Sequence, residues 1–402
     1  MAGPPADGPD PIHSRAMAAE REHDILLFGC TGFTGALTAE YLAANAPAST
    51  RWALAGRNQA KLEALRERLG VEVPLVKADV TDEKSIADAA ASTRVVITTV
   101  GPYIAHGEPL VRACAEHGTD YTDLTGEPEF VDRMFVKYHA RAEATGARIV
   151  HACGFDSVPH DLGARFTVEQ LPEGVPLTVR GFVQASATFS GGTFASALTG
   201  FSRARQNFEA ARERRRAEQR PDGRVVRGER GRPRRDGDID SWVLPFPSID
   251  PQIILRSARA LERYGPEFTY GHYIAVKGLP QAIGLPIAVG GVFALAQIPP
   301  ARKLLQSRVP QGTGPSEERR AKSWFRVHFH GEGGGKRVVC EVRGGDPGYG
   351  ETSKMLAESA LCLANDDLPA TAGQVTTAQA MGGALTERLE RAGIEFSVVD
   401  AP

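Results

Sequence analysis

The sequence predicts an α/β chain in which a doubly wound parallel sheet leads into a second, α+β domain. Three observations predict it. Residues 24–35 run from the apolar stretch Ile25-Leu26-Leu27-Phe28 straight into glycines at 29, 32 and 35, and a helix-compatible segment follows at 36–44. Short apolar runs then alternate with helical patterns as far as Val150. Much later, two alternating runs flank Gly331-Glu332-Gly333-Gly334-Gly335, a hairpin signal. Strict strand–helix alternation builds right-handed crossovers and a Rossmann-like sheet, with ligands at the C-terminal strand ends.

The first run is continuous rather than alternating, as a strand buried on both faces requires. The turn after it suits an anion. Glycine lets the backbone approach a pyrophosphate, and the unpaired amides of a helix N-terminus point at it. The G-x-x-G-x-x-G spacing is not the common G-x-G-x-x-G, and plain turns use glycine too. Position between strand and helix favours dinucleotide binding through Gly29, Thr31, Gly32, Phe33, Thr34 and Gly35. Trp52-Ala53-Leu54-Ala55 reads as the second strand and ends in Gly56-Arg57-Asn58. An arginine where NAD sites carry an acid suits the 2′-phosphate of NADP. The alternative for Arg57 is an ordinary surface arginine. Lys61, one turn on, adds a second positive charge. Helix Gln59–Leu69 places Leu62, Leu65 and Leu69 on one face. A third strand over 73–77 brings Asp79 and Val80 to the adenine edge, and Thr81 or Asp82 caps the next helix. The fourth strand, 95–100, delivers Val100, Gly101, Pro102 and Tyr103 beside the nicotinamide ribose. Helix Glu108–His117, a strand at 121–124, helix Pro128–Thr145 and a strand at 148–151 complete a nucleotide-binding domain over 23–153.

Residues 154–350 read as a substrate domain. Its first segment, Gly154-Phe155-Asp156-Ser157-Val158-Pro159-His160-Asp161, overhangs the nicotinamide side. With His151, the residues Asp156, His160 and Asp161 form the densest acid/base cluster of the chain. They suit a proton donor or a substrate orienter; equally, Asp-Ser-x-Pro is a helix cap with surface histidines. A strand is expected at 178–187 and a helix start within 189–199. Residues 203–235 hold thirteen arginines against five acids, in a chain of net charge -2. Their first half, 204–219, reads as helix and the rest as a flexible Gly/Pro/Arg-rich stretch. Such charge suits an anionic membrane surface, an acidic carrier protein or a merely solvated loop. Phe208 is its one aromatic residue, so nucleic acid is not expected. Strands are expected at 243–256 and 268–276, with a helix at 259–264 between them. Residues 279–299 carry no charge, and only Gln281 and Gln297 are polar. Pro280, Pro286, Gly284, Gly290 and Gly291 argue against a single spanning helix and for an interfacial hairpin or a lid over an apolar groove. Basic Arg302 and Lys303 follow. The hairpin strands fall at 324–330 and 337–343. Helices at 353–364 and 381–392 and a strand at 394–399 make residues 351–402 a segment that packs back on the first domain.

The length of 402 residues accommodates two or three domains. Five scattered cysteines with no C-x-x-C pair suggest neither a metal site nor disulfides, and a reducing cytoplasm. Residues 1–22, rich in Ala, Pro and Gly, read as a disordered tail.

Gly29-Cys30-Thr31-Gly32-Phe33-Thr34-Gly35, Ala55-Gly56-Arg57 and Val100-Gly101-Pro102-Tyr103 together resemble the saccharopine dehydrogenase-like oxidoreductases. Tyr121-Thr122-Asp123-Leu124-Thr125-Gly126-Glu127, Gly154-Phe155-Asp156-Ser157-Val158-Pro159 and Gly344-Gly345-Asp346-Pro347-Gly348-Tyr349-Gly350-Glu351-Thr352 resemble their trans-acting enoyl reductase branch, known from actinobacteria. The match spans about residues 23–398 and leaves out the tail and the arginine-rich insert. Cys30 departs from the alanine common in relatives. The resemblance implies an NADPH-linked reductase of polyketide-type or long fatty acyl thioesters in glycolipid assembly. It also implies a partner synthase lacking its own reductase domain, and peripheral association with the inner face of the plasma membrane. On that reading Tyr103, His160 and Asp156 are the candidate catalytic residues, with backbone amides or the Tyr103 hydroxyl for the enolate oxygen and His160, Tyr103 or water for the proton. Two rival readings are a saccharopine-type amino-acid or imine dehydrogenase and a non-catalytic NADP-binding protein docked on a membrane. The first rival needs cationic groups for several carboxylates, which the apolar 279–299 does not suggest.

Overall fold

The computed structural model describes residues 21–186, 198–219, 221–308 and 315–399. The expected tail at 1–22 lies almost wholly outside these residues, as does most of the expected helix start within 189–199. The first half of the chain alternates as its apolar runs predict. It comprises β1 (His23–Phe28), α1 (Phe33–Asn45), β2 (Trp52–Gly56), α2 (Gln59–Leu69), β3 (Leu75–Lys77), α3 (Glu83–Ser92) and β4 (Thr93–Thr98). Next come α4 (Tyr103–His106), α5 (Glu108–His117), β5 (Asp120–Asp123), α6 (Pro128–Thr145) and β6 (Arg148–Val150). The strands pair in parallel in the order β6-β5-β4-β1-β2-β3. Ile25, Leu26 and Leu27 are fully buried, so β1 is the spine of a two-faced core. Asn58 accepts from the Lys61 amide and Asp82 from those of Lys84 and Ser85, which starts α2 and α3 at these caps.

The second half begins with α7 (Val158–Glu169), β7 (Leu177–Ser186), α8 (Ala204–Ala217), β8 (Val225–Gly228), β9 (Arg234–Asp236) and β10 (Ser241–Pro245). There follow α9 (Asp250–Ala260), a 3-10 turn Glu262–Tyr264, β11 (Glu267–Val276), α10 (Leu279–Ala296), α11 (Pro299–Arg308) and α12 (Glu317–Ala321). The hairpin is β12 (Trp324–Gly333) with β13 (Lys336–Gly344), in register with Gly333 opposite Lys336. The chain ends with α13 (Gly350–Asn365), β14 (Gly373–Val375), α14 (Thr377–Ala380), α15 (Gly382–Arg391) and β15 (Glu395–Val399). A mixed sheet runs β15-β13-β12-β7-β11-β10-β9, with β8 also beside β11. The C-terminal segment serves both sheets. β14 extends the first sheet beside β6, and β15 edges the second beside β13. α13 packs on α1, where the Tyr41 hydroxyl donates to Glu358 at 2.7 Å and Ser353 to the Thr34 carbonyl at 3.4 Å.

Three expectations are corrected. Residues 243–256 are not one strand, because Pro251 belongs to the first turn of α9, where its missing N–H is harmless. The buried Ile253, Ile254, Ser257 and Ala258 are a helical stripe. The second half of the arginine-rich stretch is not flexible but forms β8 and β9 on the second sheet. The glycines and prolines of 279–299 do not break it; α10 is one helix with Pro286 inside. Its surface is almost wholly exposed, with Ile287 at 70%. Among the described residues it is the helix long and apolar enough to cross a membrane.

The arginines themselves are largely engaged by the protein. Arg203 grips Glu129 of α6 through two bonds of 2.7 Å, and Arg214 Nε lies 2.6 Å from Asp132 of the same helix. Arg224 donates to the carbonyls of Ala258, Leu261 and Gly265. The segment thereby clamps the second half of the chain to the first. Arg212, Arg215, Arg216, Arg230 and Arg232 stay on the surface, so the charge count overstates the exposed basic area.

Candidate active site

β1 ends in a turn at Gly29, whose φ is +84°. That value favours glycine, and an added Cβ would lie 2.6 Å from Val100 Cγ2. Gly35 packs the first turn of α1 beneath the loop so closely that a Cβ would lie 2.3 Å from the Gly29 carbonyl oxygen. Gly32 is different: its nearest neighbour is 3.5 Å away, so it leaves the helix end open. No side chain caps α1. The first amides of the helix therefore point outward at its positive end, between Thr31 and Thr34, in the arrangement a pyrophosphate needs. Phe33 sets its ring against Tyr349, edge to face at 4.8 Å.

On the β2–β3 side, Arg57 and Lys61 are exposed beyond the strand end. Asp79 accepts from the amide and hydroxyl of Thr81 at 3.0 and 2.9 Å. These bonds, helped by the charge of Arg57, hold its carboxyl below the usual range. Val80 is half-buried beside it. Arg57 and Asp79 thus share one edge of the crevice.

On the other side, Val100, Gly101 and Pro102 leave β4, with a cis bond between Gly101 and Pro102. Tyr103 turns inward and is 6% exposed. Its hydroxyl donates to the Thr98 carbonyl and accepts from the Leu124 amide, both at 3.1 Å. Burial pushes the phenol well above its ordinary range. Tyr103 is thus a brace between β4 and the loop after β5, which corrects its expected role as enolate binder or proton donor.

His160 is corrected too. It is 1% exposed, on the inner face of α7 against the rings of Phe155 and His272. Burial pushes it down to about 4, although Asp250 stands 3.4 Å from Nδ1. A neutral imidazole is a weak acid, and this one is walled off from any substrate. Asp156, in the loop between β6 and α7, does reach solvent. Its carboxylate lies against Gly126, where an added Cβ would come within 3.1 Å. Desolvation by its surroundings, then the negative charge of Asp250, pushes its carboxyl up to about 7. Of the cluster's other members, His151 is buried on Asp123 at 2.7 Å. Asp161 is consumed by Ser257, Thr377 and the Ala378 amide. Of these acid/base candidates, Asp156 alone stands at the rim.

Sequence reasoning missed Asp250 and His272, which lie behind Asp156. Ser248-Ile249-Asp250-Pro251 is a helix-start signal that the strand reading of 243–256 hid. It also missed what the Gly344–Thr352 block does. Tyr349 meets the phosphate turn through Phe33, and Thr352 accepts from the Phe155 amide at 3.2 Å. One loop therefore touches both ends of the crevice.

A family model, saccharopine dehydrogenase NADP binding domain, matches residues 25–150. Two proteins named trans-acting enoyl reductase, from Mycobacterium ulcerans and Mycobacterium bovis, are 35% and 34% identical to this chain. Each aligns over 94% of it, and over 98% and 97% of its own length. A Mycobacterium tuberculosis relative whose name places it in the same group is 40% identical, over 94% of this chain and 98% of its own. The chain belongs to the trans-acting enoyl reductase family. This family member is an NADP-dependent oxidoreductase of the saccharopine dehydrogenase-like kind, as its motifs predict. The fold of the reductase agrees. Apo histidine-tagged saccharopine dehydrogenase (L-Glu forming) from Saccharomyces cerevisiae superposes with a TM-score of 0.56. That match covers 94% of this chain and 100% of that one at 13% identity, a likeness of fold.

Proposed function

We propose that this oxidoreductase reduces the carbon–carbon double bond of an α,β-unsaturated acyl thioester, with NADPH as hydride source and Asp156 as proton donor. The observation that carries the reading is the placement of Asp156 at the rim, beside the turns after β5 and β6, with the other candidate donors buried. The open amides of α1 and the bare Gly32 would hold the pyrophosphate, Arg57 and Lys61 the 2′-phosphate, Asp79 and Val80 the adenine edge. Val100, Gly101 and Pro102 would border the nicotinamide ribose. Bound NADPH supplies the hydride to the β-carbon. Asp156 then gives its proton to the α-carbon as the enolate collapses. Phe155, half-buried next to Asp156 in the chain, packs on Phe325 and offers apolar surface that suits an acyl chain. α10 is the proposed anchor on the inner, cytoplasmic face of an anionic membrane: Ile283, Ile287, Val289, Phe293 and Leu295 are exposed, and it carries no charge. An acyl carrier protein or a synthase without a reductase domain is the proposed donor of the thioester.

The test is NADPH oxidation with a long-chain 2-enoyl thioester, free and carrier-bound, with and without anionic vesicles, and with NADH and a cyclic imine as controls. Enoyl-dependent turnover specific to NADPH is expected, with vesicle co-sedimentation. NADPH binding without turnover on any enoyl thioester overturns the reading, and faster turnover on the imine favours a saccharopine-type activity. Arg57→Ala is expected to weaken NADPH about 10- to 100-fold by calorimetry, the scale of lost charge-assisted hydrogen bonds, and to leave NADH nearly unchanged. Equal losses for both cofactors would remove Arg57 from the 2′-phosphate.

A further inference from the structure

We propose that His160, Asp250 and His272 form a buried binding site for a divalent transition-metal ion of the zinc class. The three residues come from three elements, α7, the first turn of α9, and β11. All are buried, and each offers one ligand atom within 4.8 Å of the other two. His160 Nδ1 lies 3.4 Å from Asp250 Oδ1, and His272 Nε2 lies 3.2 Å from Asp250 Oδ2. A tetrahedral ion with zinc–nitrogen bonds of about 2.0–2.1 Å sets its ligand atoms about 3.3 Å apart. Neither contact makes a well-formed hydrogen bond. Both ring nitrogens of His160, Nε2 of His272 and Oδ1 of Asp250 have no hydrogen-bond partner among the described residues. Buried polar atoms are normally paired; one nitrogen of each ring and one Asp250 oxygen, three atoms from three residues, lie close enough together for a single cation to satisfy them.

The surroundings fit as well. Nδ1 of His272 meets the Tyr270 hydroxyl at 2.9 Å, and the Ser248 hydroxyl donates to Asp250 Oδ2. Such outer contacts fix the rotation and tautomer of metal ligands. The rings of Phe155 and Phe246 pack on His160 and His272 at 5.1 and 5.7 Å and exclude water. Two imidazoles and one carboxylate suit zinc or cobalt better than magnesium or calcium, which prefer oxygen donors. The ion's role is positional: it ties α7, α9 and β11 together behind the loop that carries Asp156. This holds whatever substrate the chain reduces.

The experiment uses tag-free full-length protein, its metal content, and titration of chelator-stripped protein with Zn²⁺ and Co²⁺. Expected are close to one ion per chain, a zinc-dependent rise in Tm, and visible ligand-field absorption from bound Co²⁺. Tyr270→Phe should fold and bind Zn²⁺ about tenfold more weakly, the scale of a lost outer contact. His272→Ala should lose the ion and the zinc-dependent rise in Tm, with His272→Gln as the milder variant should the alanine protein not fold. Wild-type protein that binds neither ion saturably overturns the proposal. So does undiminished binding in a folded His272 variant, which would place the ion elsewhere.

Discussion

Asp156→Asn is expected to lower kcat for enoyl reduction about 100- to 1000-fold with little change in NADPH affinity, the range of a lost general acid. The amide keeps the shape against Gly126 and the end of the β6–α7 loop, so binding should survive while proton delivery fails. The pH profile carries the same information. The Asp156 carboxyl is pushed up to about 7 by desolvation and by Asp250. Its protonated form is the donor, so kcat should fall as pH rises through that value, and the asparagine variant should lose the inflection. A cation held on Asp250 would relieve part of the repulsion and move the inflection toward lower pH. Steady-state kinetics across pH decides the matter; an asparagine variant with wild-type kcat would remove Asp156 from proton transfer.

Asp132→Ala is expected to cost stability at the low end of about 3–5 kcal/mol in urea unfolding, because it removes one of the two carboxylates on a buried guanidinium and leaves only Glu218. Asp132 is 1% exposed and Arg214 is 6% exposed. Arg256, fully enclosed near them, is pushed down to about 10 by burial, with Glu218 opposing. Burial also raises the Asp132 carboxyl above its usual range despite Arg214 and Arg256. Taking both charges out of water offsets much of their mutual attraction, so the intact pair contributes little net stability. The loss in the single variant comes from the partner left behind, including Gln252, which donates to Asp132 at 2.8 Å. Asp132→Leu with Arg214→Met should accordingly recover most of the stability. An unchanged single variant would show that α8 does not hold α6 through this contact.

The first sheet was legible because parallel strands buried on both faces appear as continuous apolar runs, and because Asn58 and Asp82 mark helix starts locally. The arginine-rich segment was less so. Its partners Glu129 and Asp132 stand some seventy or more residues earlier, and a charge count contains no pairing. Tyr103 and His160 had suitable chemistry, yet whether a tyrosine or histidine meets substrate depends on which way its element faces after packing. His160, Asp250 and His272 are too far apart in sequence for spacing to reveal them, so the absence of C-x-x-C pairs says nothing about that cluster. For α10, proline and glycine were read as stops. Proline costs about 3 kcal/mol in a helix interior, a penalty that the chain here tolerates.

The placement of β14 and β15 bears on how the chain is made. A ribosome delivers residues in order, yet each sheet takes an outer strand from residues 373–399. Until those residues emerge, β6 and β13 offer unpaired backbone to anything nearby. A nascent chain therefore carries two adhesive borders at once, and a message truncated before Gly373 yields a product prone to joining its own copies rather than half an enzyme.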